Sequence, residues 1–217
     1  TKFIENYRAD MNCPVAIHLG DIIDAQNHFD EMYSAYEAVS SSPAKQDTIM
    51  VVAGVDDIYF KKWALVLDKF KTCTYYFIVE TPSGYRDLFI CYDSADGTLG
   101  TKQLAWLKAT LEWADTQSFR HIIGCTHTHL FKRDGSQGHT SNYTIEETYA
   151  LINLYASHGV DMIWSGHDHT REITRVSGIT CIVVDSMKDE DKRPYYMLVT
   201  MGENIAYEFV PMFEMTN

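Results

Sequence analysis

Apolar positions along the chain alternate between short dense runs and helical spacing. Four dense runs, 15–19, 48–53, 120–126 and 160–165, read as buried strands, and each leads into a glycine or a polar residue. Helical spacing appears over 1–13, with Phe3, Ile4, Tyr7 and Met11 recurring before Pro14, and over 26–40, with Phe29, Met32, Tyr33, Tyr36 and Val39 on one face. It returns over 59–70, over 100–115 with Leu104, Leu107 and Leu111 inward, and over 144–157, where Glu147 follows a cap at Thr144 by three residues. Residues 74–80 and 86–93 read as antiparallel strands joined by a turn at Pro82-Ser-Gly84. The chain closes on strands at 171–176, 179–185, 195–200 and 204–210. Strands alternating with helices first, and consecutive strands last, imply α/β architecture with mixed sheets covered by helices.

A length of 217 residues suits one domain with a sizeable core. The strongly apolar runs are too short to cross a bilayer, so no membrane span is expected. A net charge of −12 argues against a nucleic-acid partner, because phosphate-backbone binding needs excess positive charge. Five cysteines, Cys13, Cys73, Cys91, Cys125 and Cys181, form no Cys-x-x-Cys pair. Their odd count and apolar surroundings read as small buried hydrophobes, which leans toward a reducing, cytoplasmic location. The chain starts at Thr1 without a signal-peptide pattern.

Chemistry gathers at four strand ends. They carry Asp21 and Asp24, then Asp56 and Asp57, then His127 and His129, then His167 and His169. Open α/β sheets place their sites at the carboxyl ends of strands, so these groups are expected to meet. Mixed carboxylate and imidazole sets suit Mn, Fe or Zn better than Mg or Ca. Taken singly, Gly20-Asp21-Ile-Ile-Asp24 also reads as a capped turn, and a lone histidine at a strand end as a structural one. His18 and His121 are read in that structural way. Gly166-His-Asp-His169 has few purely structural uses.

Gly20-Asp21-x-x-Asp24, His127 after a buried strand and Gly166-His167-x-His169 together resemble the ordered motifs of the calcineurin-like metallophosphoesterases. So do 88–94, which end in Asp93-Ser94, and the Gln103-Leu-Ala-Trp-Leu107 helix that follows. The resemblance runs from about Val15 to the end. It implies a four-layer α/β/β/α sandwich of two mixed sheets, formed by one domain over 1–217. It also implies hydrolysis of a phosphomonoester or phosphodiester by a metal-activated hydroxide, with two metal ions and a small phosphorylated substrate. Asp21 would bridge the metals, His127 and His167 would ligate the second, and His169 the first.

Two family motifs differ here. No Asp-x-His precedes Asp21, so either the first strand lies upstream of an N-terminally truncated domain or two ligands of the first metal are lost. The family's Gly-Asn-His-Asp/Glu reads Gly54-Val55-Asp56-Asp57. Val55 cannot ligate, and Asp56 stands where a histidine near the leaving group is expected. Asp56 could act as an acid or replace the lost ligand. The loop over 132–143 offers Arg133, His139 and Asn142 as phosphate contacts, or is plain polar surface. The expected function is therefore a metallophosphoesterase impaired at its metal site, the alternative being a pseudoenzyme that keeps the fold for binding.

Overall fold

The structure, a computed structural model, describes residues 13–22, 34, 37, 49–58, 62–131, 143–186 and 194–212. Its largest element is a six-stranded mixed sheet built from β3 (Tyr75–Glu80), β4 (Arg86–Cys91), β5 (His121–Cys125), β6 (Met162–Ser165), β7 (Glu172–Val176) and β8 (Ile179–Val183). The order is β3-β4-β5-β6-β8-β7. The four central strands β4, β5, β6 and β8 are parallel, and an antiparallel hairpin closes each side. Buried parallel strands explain the dense apolar runs, since both faces are covered.

Side-chain alternation divides the core in two. On one face Leu88, Ile90, Ile122 and Ile163 pack against helices α3 (Gly100–Asp115) and α4 (Ile145–Ser157) through Leu107, Leu111, Leu151 and Tyr155. On the other face Phe89, Cys91, Ile123, Cys125 and Trp164 meet two further strand pairs. These are the parallel pair β1 (Ala16–His18) and β2 (Ile49–Val51), and the antiparallel pair β9 (Tyr195–Met201) and β10 (Ile205–Pro211). The order helix, sheet, second strand layer follows the expected sandwich. Within the described residues the second layer is hydrogen-bonded as two separate pairs rather than one continuous sheet. The helices expected over 1–13 and 26–40 lie outside the described residues, apart from Cys13 and the helical Ser34 and Glu37.

The helix expected over 59–70 appears as α1 (Val55–Ile58) and α2 (Trp63–Phe70). Periodicity missed the early start because α1 is set by caps. Asp57 reaches back to the Gly54 N–H at 2.8 Å, and Asp21, 35 residues away in sequence, accepts the Asp56 N–H at 2.8 Å. At α4 the expected cap holds, with Thr144 Oγ1 accepting the Glu147 N–H at 3.2 Å. Glu147 then accepts the Leu99 N–H at 2.9 Å and so ties α4 to the start of α3. No helix among the described residues is long and apolar enough to cross a membrane. None of the five cysteines is joined in a disulfide, and four are buried.

Candidate metal centre

Three chain segments leave their strands at the same edge. β1 runs into Leu19-Gly20-Asp21, β5 into Thr126-His127, and β6 into Gly166-His167. Because β5 and β6 are parallel neighbours, their exits lie side by side, and the Gly166 N–H donates to the His127 carbonyl at 3.0 Å. β1 belongs to the other strand layer and brings Asp21 across. The His127 Nε2 stands 3.3 Å from Asp21 Oδ2 and 3.1 Å from His167 Nδ1. Ligand atoms of these three residues all lie within 4.8 Å of one another. Both imidazoles are buried.

Backbone conformation is bent to make this meeting possible. Asp21 has φ +54°, His167 φ +70° and His169 φ +50°. Each lies in the left-handed region, which costs a non-glycine residue about 1–3 kcal/mol and is kept where surrounding structure imposes it. Ser94, fully buried three residues past the end of β4, holds the turn after β5. Its Oγ accepts the His127 N–H at 3.2 Å and the Thr128 N–H at 2.8 Å, while its carbonyl accepts Thr128 Oγ1 at 2.6 Å.

The charges in the group are coupled. Burial alone would raise the Asp21 carboxyl, but the His127 hydrogen bond and charge, with the Asp56 N–H, hold it below its ordinary value of 3.8. Burial alone would lower His127, but the bond and charge of Asp21, with the Leu19 carbonyl and Asp57, raise it above 6.5. The His127 Nδ1 hydrogen donates to the Leu19 carbonyl at 2.7 Å. In the neutral ring that bond leaves the lone pair on Nε2, the atom facing Asp21 and His167. One carboxylate and two imidazoles, one of them fixed in its tautomer, form a donor set that fits a borderline divalent cation.

No family model matches the sequence, and no curated protein matches it either. Solved structures do. A dimetal phosphatase from Danio rerio superposes with a TM-score of 0.68 at 16% identity, over 97% of this chain and 85% of that one. The chain has the calcineurin-like metallophosphoesterase fold. A second structure with this fold, GAP50, the anchor in the inner membrane complex of Plasmodium, gives a TM-score of 0.66 at 18% identity, over 97% and 78% of the two chains. The purple acid phosphatase PPD1 from yellow lupin seeds gives 0.68 at 14% identity, over 97% of this chain and 46% of its own.

Within the metallophosphoesterase fold the sequence-derived residues fall into four groups. Asp21, His127 and His167 come together. His169 is half-buried and lies outside the group that meets within 4.8 Å. Asp24, Arg133, His139 and Asn142 lie outside the described residues. Asp56 adjoins the site through its backbone, since its N–H orients Asp21. Asp57, given no role from sequence, sits buried beside the site and its charge helps raise His127. Its signal was available: an acid three residues after a glycine at a strand end is a capping pattern. The structural reading of the other two histidines is compatible with their surroundings. Burial pushes His18 down to about 4, which keeps its ring neutral, and His121 Nε2 contacts the Gly202 carbonyl at 3.0 Å.

The coupled pair predicts how cation binding responds to pH. A raised His127 stabilises the metal-free fold below 6.5 and loses that contribution as pH climbs through its raised value. A lowered Asp21 contributes above 3.8 and loses its share as pH falls through its lowered value. The metal-free pair is thus most stabilising between those two ordinary values. Binding a cation requires the Nε2 proton of His127 to leave. Manganese affinity should therefore rise as pH increases above 6.5, with proton release detected by calorimetry in buffers of different ionisation enthalpy. Affinity that stays flat across that range would show that His127 is not a ligand.

Proposed function

We propose that this chain is a metal-dependent phosphoesterase acting on a phosphomonoester or phosphodiester. Its divalent cation, Mn, Fe or Zn, is held by Asp21, His127 and His167, with His169 as a further ligand. The observation that carries the reading is the group of one half-buried carboxylate and two buried imidazoles at the carboxyl edge of parallel strands. The phosphatases among the structural neighbours support it at the level of fold. A cation bound there supplies Lewis acidity toward a phosphoryl oxygen and a lowered pKa for a water molecule.

The protein's own part is placement. The Leu19 carbonyl holds His127 in one tautomer, and the Asp56 N–H fixes the Asp21 carboxylate. Ser94 holds the turn after β5 in position through the His127 and Thr128 N–H groups. Val55 stands where the resemblance calls for an asparagine ligand, which makes the activity weak. The Asp56 carboxylate is assigned to the cation side, in place of that asparagine. Arg133, His139 and Asn142 are assigned to the substrate phosphate.

A second reading, a fold retained for binding, is favoured by Val55 and by the likeness to GAP50, a protein described as an anchor. The test is hydrolysis of an aryl phosphate and an aryl phosphodiester with manganese saturating. It compares the unaltered chain with Asp21→Asn and with the double variant Val55→Asn/Asp56→His. Slow turnover that Asp21→Asn abolishes, and that the double variant raises by about tenfold or more, supports the enzyme. If all three chains are inert and the unaltered one still binds manganese, the binding reading stands instead.

A further inference from the structure

β4 and β5 are parallel and in register from Asp87 opposite His121 to Cys91 opposite Cys125. The ladder continues one step, with the Tyr92 N–H donating to the Cys125 carbonyl at 3.1 Å. One further step sets Asp93 beside His127, at the roughly 4.8 Å spacing of neighbouring strands. Side chains alternate along both strands. Phe89 and Cys91 share the inner face with Ile123 and Cys125. Asp93 and His127 are next in that phase, so both belong to the face toward Asp21. Across the sheet edge the order is Asp93, His127, His167.

Asp93 is held firmly and is not used up by its bonds. Gln103 grips its backbone at both ends, accepting the N–H at 2.8 Å and donating to the carbonyl at 2.5 Å. Its Oδ1 accepts the Ala95 N–H at 3.0 Å. Its Oδ2 makes no hydrogen bond among the described residues, and neither oxygen bonds to the metal-binding group. Asp57, a further carboxylate near His127 besides Asp21, accepts the Gly54 N–H.

We propose that Asp93 is a catalytic residue, the proton donor to the leaving oxygen of the phosphate ester. This rests on the phosphoesterase reading of the same site. In the step, a water oxygen forms the new bond to phosphorus and gives its proton to solvent. The electron pair of the breaking P–O bond passes to the leaving alkoxide or aryloxide. That oxygen takes the proton from the Asp93 carboxyl, which is then reprotonated from solvent. Burial raises this carboxyl, and the charge of Asp96 adds to the rise against the Ala95 N–H and His127, so the proton is better retained than on an ordinary aspartate.

Asp93→Asn keeps the shape and the Oδ1 acceptor but carries no acidic proton. The variant and the unaltered chain are compared on two aryl phosphates, one with a strongly acidic phenol as leaving group and one with plain phenol. The variant should lose about 100-fold or more in kcat on plain phenyl phosphate and little on the activated ester. Calorimetry with manganese and thermal melting should match the unaltered chain. Equal loss on both esters, no loss on either, or manganese affinity weakened about tenfold overturns the assignment. Activity that Asp21→Asn abolishes but Asp93→Asn leaves untouched overturns Asp93 alone. An unaltered chain inert on both esters overturns this assignment together with the phosphoesterase reading.

Discussion

His127→Ala is expected to lower manganese affinity by at least about 100-fold and to destabilise the metal-free chain by about 2–4 kcal/mol. Both effects follow from one buried ring. His127 is 1% exposed and its ring makes three polar contacts: Nδ1 with the Leu19 carbonyl, and Nε2 with Asp21 and His167. Alanine removes a ligand outright, and loss of a group that merely orients a ligand already costs 10–100-fold. It also leaves the Leu19 carbonyl without its donor, takes the cationic partner from Asp21, and opens a void in a packed interior. His129→Ala is the control. His129 is also buried, two residues on, but its ring contacts Phe131 and its Nε2 has no hydrogen-bond partner among the described residues. It should cost stability and leave manganese affinity unchanged. Calorimetry with manganese and urea titration of metal-free protein measure the two quantities. A loss of affinity in His129→Ala as large as in His127→Ala would show that the cation sits elsewhere.

Gly54→Ala is expected to cost about 3 kcal/mol or more and to disable cation binding at the same time. A Cβ on Gly54 would fall 2.1 Å from the Asp21 backbone nitrogen and 2.4 Å from its Oδ1. Neither atom can step aside, because Asp21 is pinned by the Asp56 N–H and by its left-handed backbone. Gly20 is similarly enclosed, its Cβ falling 2.3 Å from His127 Nδ1 and 2.7 Å from the Gly54 Cα, with φ +97° in addition. Gly84 separates crowding from backbone strain. It has φ +84° but nothing within 4 Å of its Cβ. Gly84→Ala should therefore cost only the left-handed penalty of about 1–2 kcal/mol and leave manganese binding intact. If Gly54→Ala and Gly84→Ala melt alike and bind manganese alike, the close approach of the two strand exits does not hold the site.

Much of the fold was legible because its signals are local. The hairpin at 74–93 announced itself through two strand-like runs around Pro82-Ser-Gly84, and its register runs from Tyr75 opposite Cys91 to Glu80 opposite Arg86. The helix from Gly100 to Asp115 has the bounds its periodicity predicts. The Gln103 of the Gln-Leu-x-Trp-Leu helix, noticed only as a resemblance, proves to clamp the Asp93 backbone. The α1 start was not legible, because one of its caps, Asp21, comes from another strand layer. The positive φ at Asp21, His167 and His169 was not legible either: Asp and His adopt it more often than most residues, but only a few per cent of non-glycine residues do so at all, and residue type does not say which.

The sequence by itself determined where most of the described strands and helices lie and which residue types stand at the strand ends. Those features depend on periodicity, capping and turn chemistry within a few residues. Only the tertiary structure decided which of those residues meet. Strand order sets β5 beside β6 and so joins His127 to His167, and packing of β1 against the inner face brings in Asp21. His169, two residues beyond His167, is left out of that group. Asp93, which the sequence offered only as part of a resemblance and with no role, is carried beside His127 by the register of two parallel strands. A distance of 3 Å between side chains more than a hundred residues apart is fixed by how layers pack. No local pattern encodes it.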